Sequence, residues 1–247
     1  MTTHRAAYLS APVNALLDGL YEGTATVADI LAEGDLGLGT FEDLDGEMVV
    51  LDGRAWQVDN TGTAREVDGT ARTPFACVAP FRAETVDEVP PGTGIEEAIG
   101  SLIPSPNMLY AIRIEGCFEG LRVRSVPRQE AYTPLVEVAK RQATFDFPET
   151  KGTLCGFWTP AFLGNVAVPG CHLHFLDTAR KRGGHLLSGR ITSGRIALMH
   201  LPRLNMALPM TLDFLTARLG RDAEAELNVI EKDRQDPGTA RRPAQPS

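Results

Sequence analysis

The chain has no CxxC pair; its four cysteines, Cys77, Cys117, Cys155 and Cys171, lie far apart in 247 residues. Such spacing excludes a disulfide framework, and a reducing, cytoplasmic setting is expected. No apolar run approaches the roughly 20 residues of a membrane span. The opening MTTHRAAYLSAPVN lacks the apolar centre of a signal peptide. There is no basic stripe either: 24 Lys and Arg face 32 Asp and Glu, for a net charge of −8. Nucleic acid and anionic membrane surfaces are therefore not expected partners. The absence of GxGxxG, a Walker loop and GxSxG removes the case for a nucleotide site or a serine nucleophile.

What remains is an acidic chain of ordinary composition, 43% hydrophobic and 23% charged, long enough for one large domain or two small ones. Residues 1–11 read as a loose leader. Ser10 and Pro12 open a short helix carrying Val13, Leu16, Leu17 and Leu20, which Gly23 stops. Thr24 or Thr26 caps a second, Val27 to Ala32. Leu36 to Val58 reads as consecutive strands, with turn signals at Asp45-Gly46 and Asp52-Gly53. A polar loop follows over 59–72, then a strand from Thr73 to Phe81 and a helix from Ile95 to Leu102 with acids in its first turn. Met108 to Ile114 and Leu121 to Val126 read as a hairpin turning through Gly116 to Gly120. Pro134 to Gln142 reads as a short helix. Strands return at Thr153 to Trp158, through the histidine strand, at His185 to Ser193 and at Arg195 to Leu201. Asp213 to Gly220 and Glu224 to Lys232 read as helical.

The expected fold is α+β: a strand-rich two-domain protein with mixed and antiparallel β-sheets, short helices and a metal site on C-terminal strands. Residues 1–148 form the expected N-terminal α/β sheet domain and 149–235 the β-rich metal-binding domain. The Pro-rich polar tail 236–247 is expected to be disordered.

Three of the five histidines fall in VPGCHLHFLDTARKRGGHLL, Val168 to Leu187. His172 and His174 are two apart, so on a strand both rings face one way, with Leu173 and Phe175 on an apolar opposite face. The polar run Lys181, Arg182, Gly183 and Gly184 reads as a hairpin turn that returns His185 beside the pair. Three neutral imidazoles with a fourth position open make a catalytic Zn²⁺ site; a hydrogen-bonded core pair or a solvated face is the plainer alternative. Cys171, next to His172, points to the other face and is rejected as a ligand. Arg124 and Arg128 flank Pro127 at a strand end, and either can grip a carboxylate bidentately or stand on the surface. Glu47 is a buried acid–base or a solvated strand-end residue; Asp177 and Glu231 are equally open.

Several motifs together resemble the α-acetolactate decarboxylase family over nearly the whole chain. They are NALLDGLYEG at Asn14 to Gly23, GDLGLGTFEDLDGEMVVLDG at Gly34 to Gly53, TPF at Thr73 to Phe75, NMLYAIRIEG at Asn107 to Gly116, RSVPRQ at Arg124 to Gln129, and the PGCHLHFL and GGHLL block. The resemblance implies conversion of 2-acetolactate to acetoin and CO₂ with zinc and no organic cofactor. It places the metal on His172, His174 and His185, and an arginine on Arg124 in preference to Arg128. It places one glutamate on Glu47 and a second, through the weakly similar ELNVIEKD, on Glu231. Thr40 falls near the substrate pocket, and a two-domain homodimer is implied. The proline-rich tail and the sequence around Arg221 depart from the family pattern.

Two rivals are weighed against this. A cupin-like metal oxygenase or isomerase also uses HxH on a strand, but adds a glutamate a few residues on, where FLDTAR offers only Asp177. A non-catalytic module with structural zinc needs a fourth Cys or His, and none is well placed.

Overall fold

A computed structural model of the chain describes residues 5–220. They build two large sheets, a two-stranded ribbon and five short α-helices. The first sheet runs in spatial order β15 (Arg203–Met206), β1 (Ala6–Leu9), β8 (Ala76–Ala79), β3 (Leu36–Thr40), β4 (Glu47–Leu51), β5 (Arg54–Val58) and β6 (Ala64–Glu66). Only its β15–β1 edge is parallel. The second is antiparallel and contains β9 (Thr85–Glu88), β10 (Thr93–Gly94), β11 (Leu109–Ser125), β12 (Ala143–Thr159), β13 (Gly170–Asp177) and β14 (Gly183–Leu201). Strand β14 pairs with β11 along most of its length and with β13 at its start, so β11, β12, β13 and β14 close into a ring. The ribbon is β2 (Ala25–Thr26) with β7 (Arg72–Thr73). The helices are α1 (Val13–Leu17), α2 (Val27–Glu33), α3 (Ile95–Leu102), α4 (Leu135–Ala139) and α5 (Leu212–Thr216).

Local chemistry explains several of these elements. Asp52 and Gly53 both take positive φ, 54° and 71°, which is the tight turn that joins β4 to β5. Thr26 Oγ1 accepts from the Asp29 amide at 3.2 Å while Asp29 Oδ2 accepts from the Thr26 amide at 2.9 Å, a reciprocal cap that starts α2.

Period-two alternation then sets the layers. On β4, Val49 and Leu51 face the ring, while Met48 and Val50 turn to Val27 and Ile30 of α2. On β13, Leu176 meets the seven-stranded sheet, while Leu173 and Phe175 join the ring's other core, where Phe118 and Phe147 pack edge-on against Phe175. The layer between the sheets gathers Leu38, Val49, Trp56, Ala111, Cys155 and Phe157. Leu38, Val49 and Phe157 each contribute on the order of 1.5–3 kcal/mol by leaving water.

Several sequence expectations change. From Ala6 the leader is not loose, since Ala6–Leu9 pairs as β1 with β8 and β15; four residues carry too short a period to read. The hairpin expected through Gly116 to Gly120 is one unbroken strand, β11. A Cβ at Gly116 would lie 2.2 Å from the Ser193 carbonyl oxygen, so glycine there serves close strand approach rather than a turn. Register shifts after Cys117 and after Glu119 are bulges that bend the strand. The two strands expected at 185–193 and 195–201 are likewise one, β14. The division expected at 148/149 falls inside β12, which runs continuously from Ala143 to Thr159. Helix α5 stops at Thr216, short of Gly220, and the helix expected at Glu224 to Lys232 and the tail 236–247 lie outside the described residues.

Candidate metal centre

The hairpin between β13 and β14 is organised by Asp177, not by the two glycines. Asp177 Oδ1 accepts from the Lys181 amide at 2.8 Å and the Arg182 amide at 3.3 Å, and Arg180 takes φ 57°. Gly183 and Gly184 are the first residues of β14. A Cβ on Gly183 would lie 2.3 Å from the Phe175 carbonyl oxygen and one on Gly184 2.5 Å from that of Arg124. Two side-chain-free residues therefore let β14 wedge between β13 and β11. The next residue, His185, lands opposite His174 on one side and Arg124 on the other.

The three rings converge as the sequence predicts. Centroids of His172, His174 and His185 are 5.0–5.3 Å apart, and one ligating atom from each lies within 4.8 Å of the others. The His174 Nδ1–H donates to the Met48 carbonyl oxygen at 2.8 Å, which leaves Nε2 as a bare lone pair aimed at the cluster. His185 Nδ1 stands 3.2 Å from that Nε2. Two nitrogens each about 2.05 Å from a tetrahedral zinc are about 3.3 Å apart, so the observed spacing suits the ion. Burial pushes the His174 ring well below the usual histidine range. The neighbouring His185 and His172 add to this, and Arg124 a little, against the opposing Met48 hydrogen bond. A ring held neutral is ready to ligate. The donor set thus fits a metal ion on chemistry and spacing alike.

Other polar groups enter from both sheets. Glu47, opposite Thr40 in the β3–β4 ladder, has the same parity as Val49 and so faces the ring. Arg124 follows Val123, which faces the ring's other core, and so turns to meet it. Arg124 Nη1 donates to Glu47 Oε1 at 2.7 Å, with both side chains only 6% exposed. Glu47 Oε2 lies 3.5 Å from His174 Nε2. Thr40 Oγ1 donates to the Gly46 carbonyl oxygen at 2.7 Å. All six side chains line one pocket, closed by Leu44, Phe75 and Val126 together with α1, α4 and Val168.

The remaining candidates separate cleanly. Arg128 is exposed and pairs with Asp43 at 2.6 Å, away from the cluster. Asp177 is committed to its turn, so it supplies no cupin-type carboxylate. Cys171 packs with the ring's other core, its thiol pushed up to about 12 by burial and then by Glu96. Glu231 lies outside the described residues. Sequence reasoning missed the Met48 carbonyl, a backbone group with no side-chain signal.

A sequence model of the alpha-acetolactate decarboxylase family matches residues 7–221. The chain belongs to the alpha-acetolactate decarboxylase family. It is 40% identical over 229 residues to an alpha-acetolactate decarboxylase of Methylococcus capsulatus, covering 91% of this chain and 88% of that protein. With the enzyme of Methanosarcina mazei it shares 39% over 229 residues, 91% and 80% of the two chains. The crystal structure of the Bacillus subtilis strain 168 enzyme superposes with a TM-score of 0.89 at 34% identity, covering 92% of this chain and all of that one.

Proposed function

We propose that the chain decarboxylates 2-acetolactate to acetoin and CO₂ with a zinc ion held by His172, His174 and His185. The observation that carries this reading is the meeting of three imidazoles, a guanidinium and a carboxylate in one buried pocket. Bound zinc supplies a Lewis acid that draws electron density from the hydroxyketone as the C–C bond weakens.

The chain's own groups do the rest. Arg124 receives the substrate carboxylate; a guanidinium with five donors can hold Glu47 through one N–H and present a fork to a second carboxylate. Departure of CO₂ leaves an electron pair on C2 that delocalises into the adjacent ketone, and a proton must return to carbon to give acetoin. Glu47 or Glu231 delivers it. Glu47 stands in the pocket, whereas Glu231 rests on the family resemblance alone. Thr40 spends its only donor on Gly46, so it offers the substrate lone pairs and accepts from the C2 hydroxyl. The apolar cover keeps out water that would otherwise protonate either face of the planar intermediate.

In this reading the seven-stranded sheet and the ring are the cores of two domains. A homodimer is supported by the edge position of β15 and by exposed Leu208, Met210, Leu212 and Leu215 just beyond it. A cytoplasmic location is in keeping with free, buried Cys77 and Cys155; no helix among the described residues is long and apolar enough to cross a membrane. Incubating the zinc-loaded protein with 2-acetolactate and assaying acetoin and CO₂ tests the activity. Full zinc occupancy without product would leave a binding module in its place.

A further inference from the structure

The pocket's polar groups come from the two sheets, whereas the segments that cover it bring only apolar side chains. These are Val13 and Leu16 of α1, Leu135 at the start of α4, and Val168 on the approach to β13. The cover is tied together rather than loose. The Val13 amide donates to the Val166 carbonyl oxygen at 2.8 Å, and the Tyr21 hydroxyl donates to that of Thr133 at 2.8 Å, just before α4.

The substrate's C2 is tetrahedral. With its carboxylate at Arg124 and its hydroxyl and acetyl oxygens toward the histidines and Thr40, three substituents face the sheets. The fourth, a methyl, then has one direction left, toward the cover. We propose that Leu135 and Val168 are specificity-determining residues that measure this fourth substituent and hold the site to a methyl in preference to an ethyl. The inference rests on the decarboxylase reading above. Val168 suits the task because it lies four residues before His172 on the same run of chain, is 4% exposed, and has a stiff β-branched side chain. Leu135 is 7% exposed and follows the extended Pro134 that begins its helix. Trimming either side chain makes room without touching a metal ligand.

The test compares kcat/KM for 2-acetolactate and its C2-ethyl homologue, 2-aceto-2-hydroxybutyrate, in the zinc-loaded wild type, Val168→Ala, Leu135→Ala and Leu135→Phe. One methylene in an apolar pocket discriminates by about 10–200-fold. The alanine variants should reduce the preference for methyl by about tenfold or more, and Leu135→Phe should increase it. Calorimetric binding of 2,3-dihydroxy-2-methylbutanoate and its 2-ethyl homologue, which have no ketone and cannot lose CO₂, should move the same way. Unchanged ratios in Val168→Ala and Leu135→Phe, with zinc content and fold retained, overturn the proposal. If Leu135→Ala fails to fold, those two variants decide. If the wild type turns over neither substrate, the decarboxylase reading falls, and the binding ratios alone decide the wall.

Discussion

The pocket has two polar walls that are held in different ways. On the ring side, Arg124, His185 and His174 sit in direct register across β11, β14 and β13, so the backbone ladder sets their separation. On the side of the seven-stranded sheet, Thr40 and Glu47 are likewise cross-strand partners. The two walls meet in the pocket through side chains: the Met48 carbonyl to His174, and Glu47 to Arg124. The three histidines are therefore fixed within one hydrogen-bonded sheet, while Glu47 and Thr40 are aligned with them across a packing interface. Substitutions of the ring-side histidines should remove metal and activity together; those of Arg124 and of the sheet side should spare the metal.

The largest effect is expected from His185→Ala. It removes a proposed ligand at the junction of three strands, and both zinc content and turnover should fall to background; full zinc occupancy, read by metal analysis, would break the comparison. Arg124→Lys is next. It keeps a charge to face Glu47 but loses the planar fork, so turnover should fall about 10²-fold with zinc retained. Arg128→Ala, in its exposed pair with Asp43, should leave both unchanged. Thr40→Val leaves the Gly46 carbonyl without its donor and removes an acceptor from the pocket. Loss of one hydrogen bond worth about 1.4 kcal/mol corresponds to about tenfold in turnover, again at full zinc.

A smaller effect concerns stability without metal. Burial, then the neighbouring His185 and His172, hold the folded His174 pKa well below the ordinary value of 6.5. Above 6.5 the ring is neutral in both folded and unfolded chains, and its contribution is fully present. As pH falls from 6.5 toward the lowered folded value, the unfolded chain takes up a proton that the folded one refuses, and stability is lost. Urea midpoints of metal-free protein should therefore be lower at pH 5.5 than at 7.5, and the difference should shrink in His174→Gln.

The histidine set was legible because HxH on a strand fixes a shared face and a short return brings a third ring back. The reason for Gly183-Gly184 was not: a turn and a close strand approach both call for glycine, and only the distances to Phe175 and Arg124 separate them. The same ambiguity hid the length of β11, whose Gly116 looks like a turn in sequence and acts as a contact with β14 in space. Glu47 and Arg124 could each have been surface residues on local pattern. Their burial follows from strand parity across two sheets 77 residues apart in sequence, which no local window contains. No linker marks the division expected at 148/149, since β12 runs unbroken across it.

The most direct measurement follows zinc per chain and CO₂ released from 2-acetolactate in the same sample, as prepared, after a chelator, and after zinc is restored. Both quantities should fall together and return together. Sustained CO₂ release from the chelated protein, or none with one zinc bound per chain, would contradict a decarboxylase centred on these three histidines.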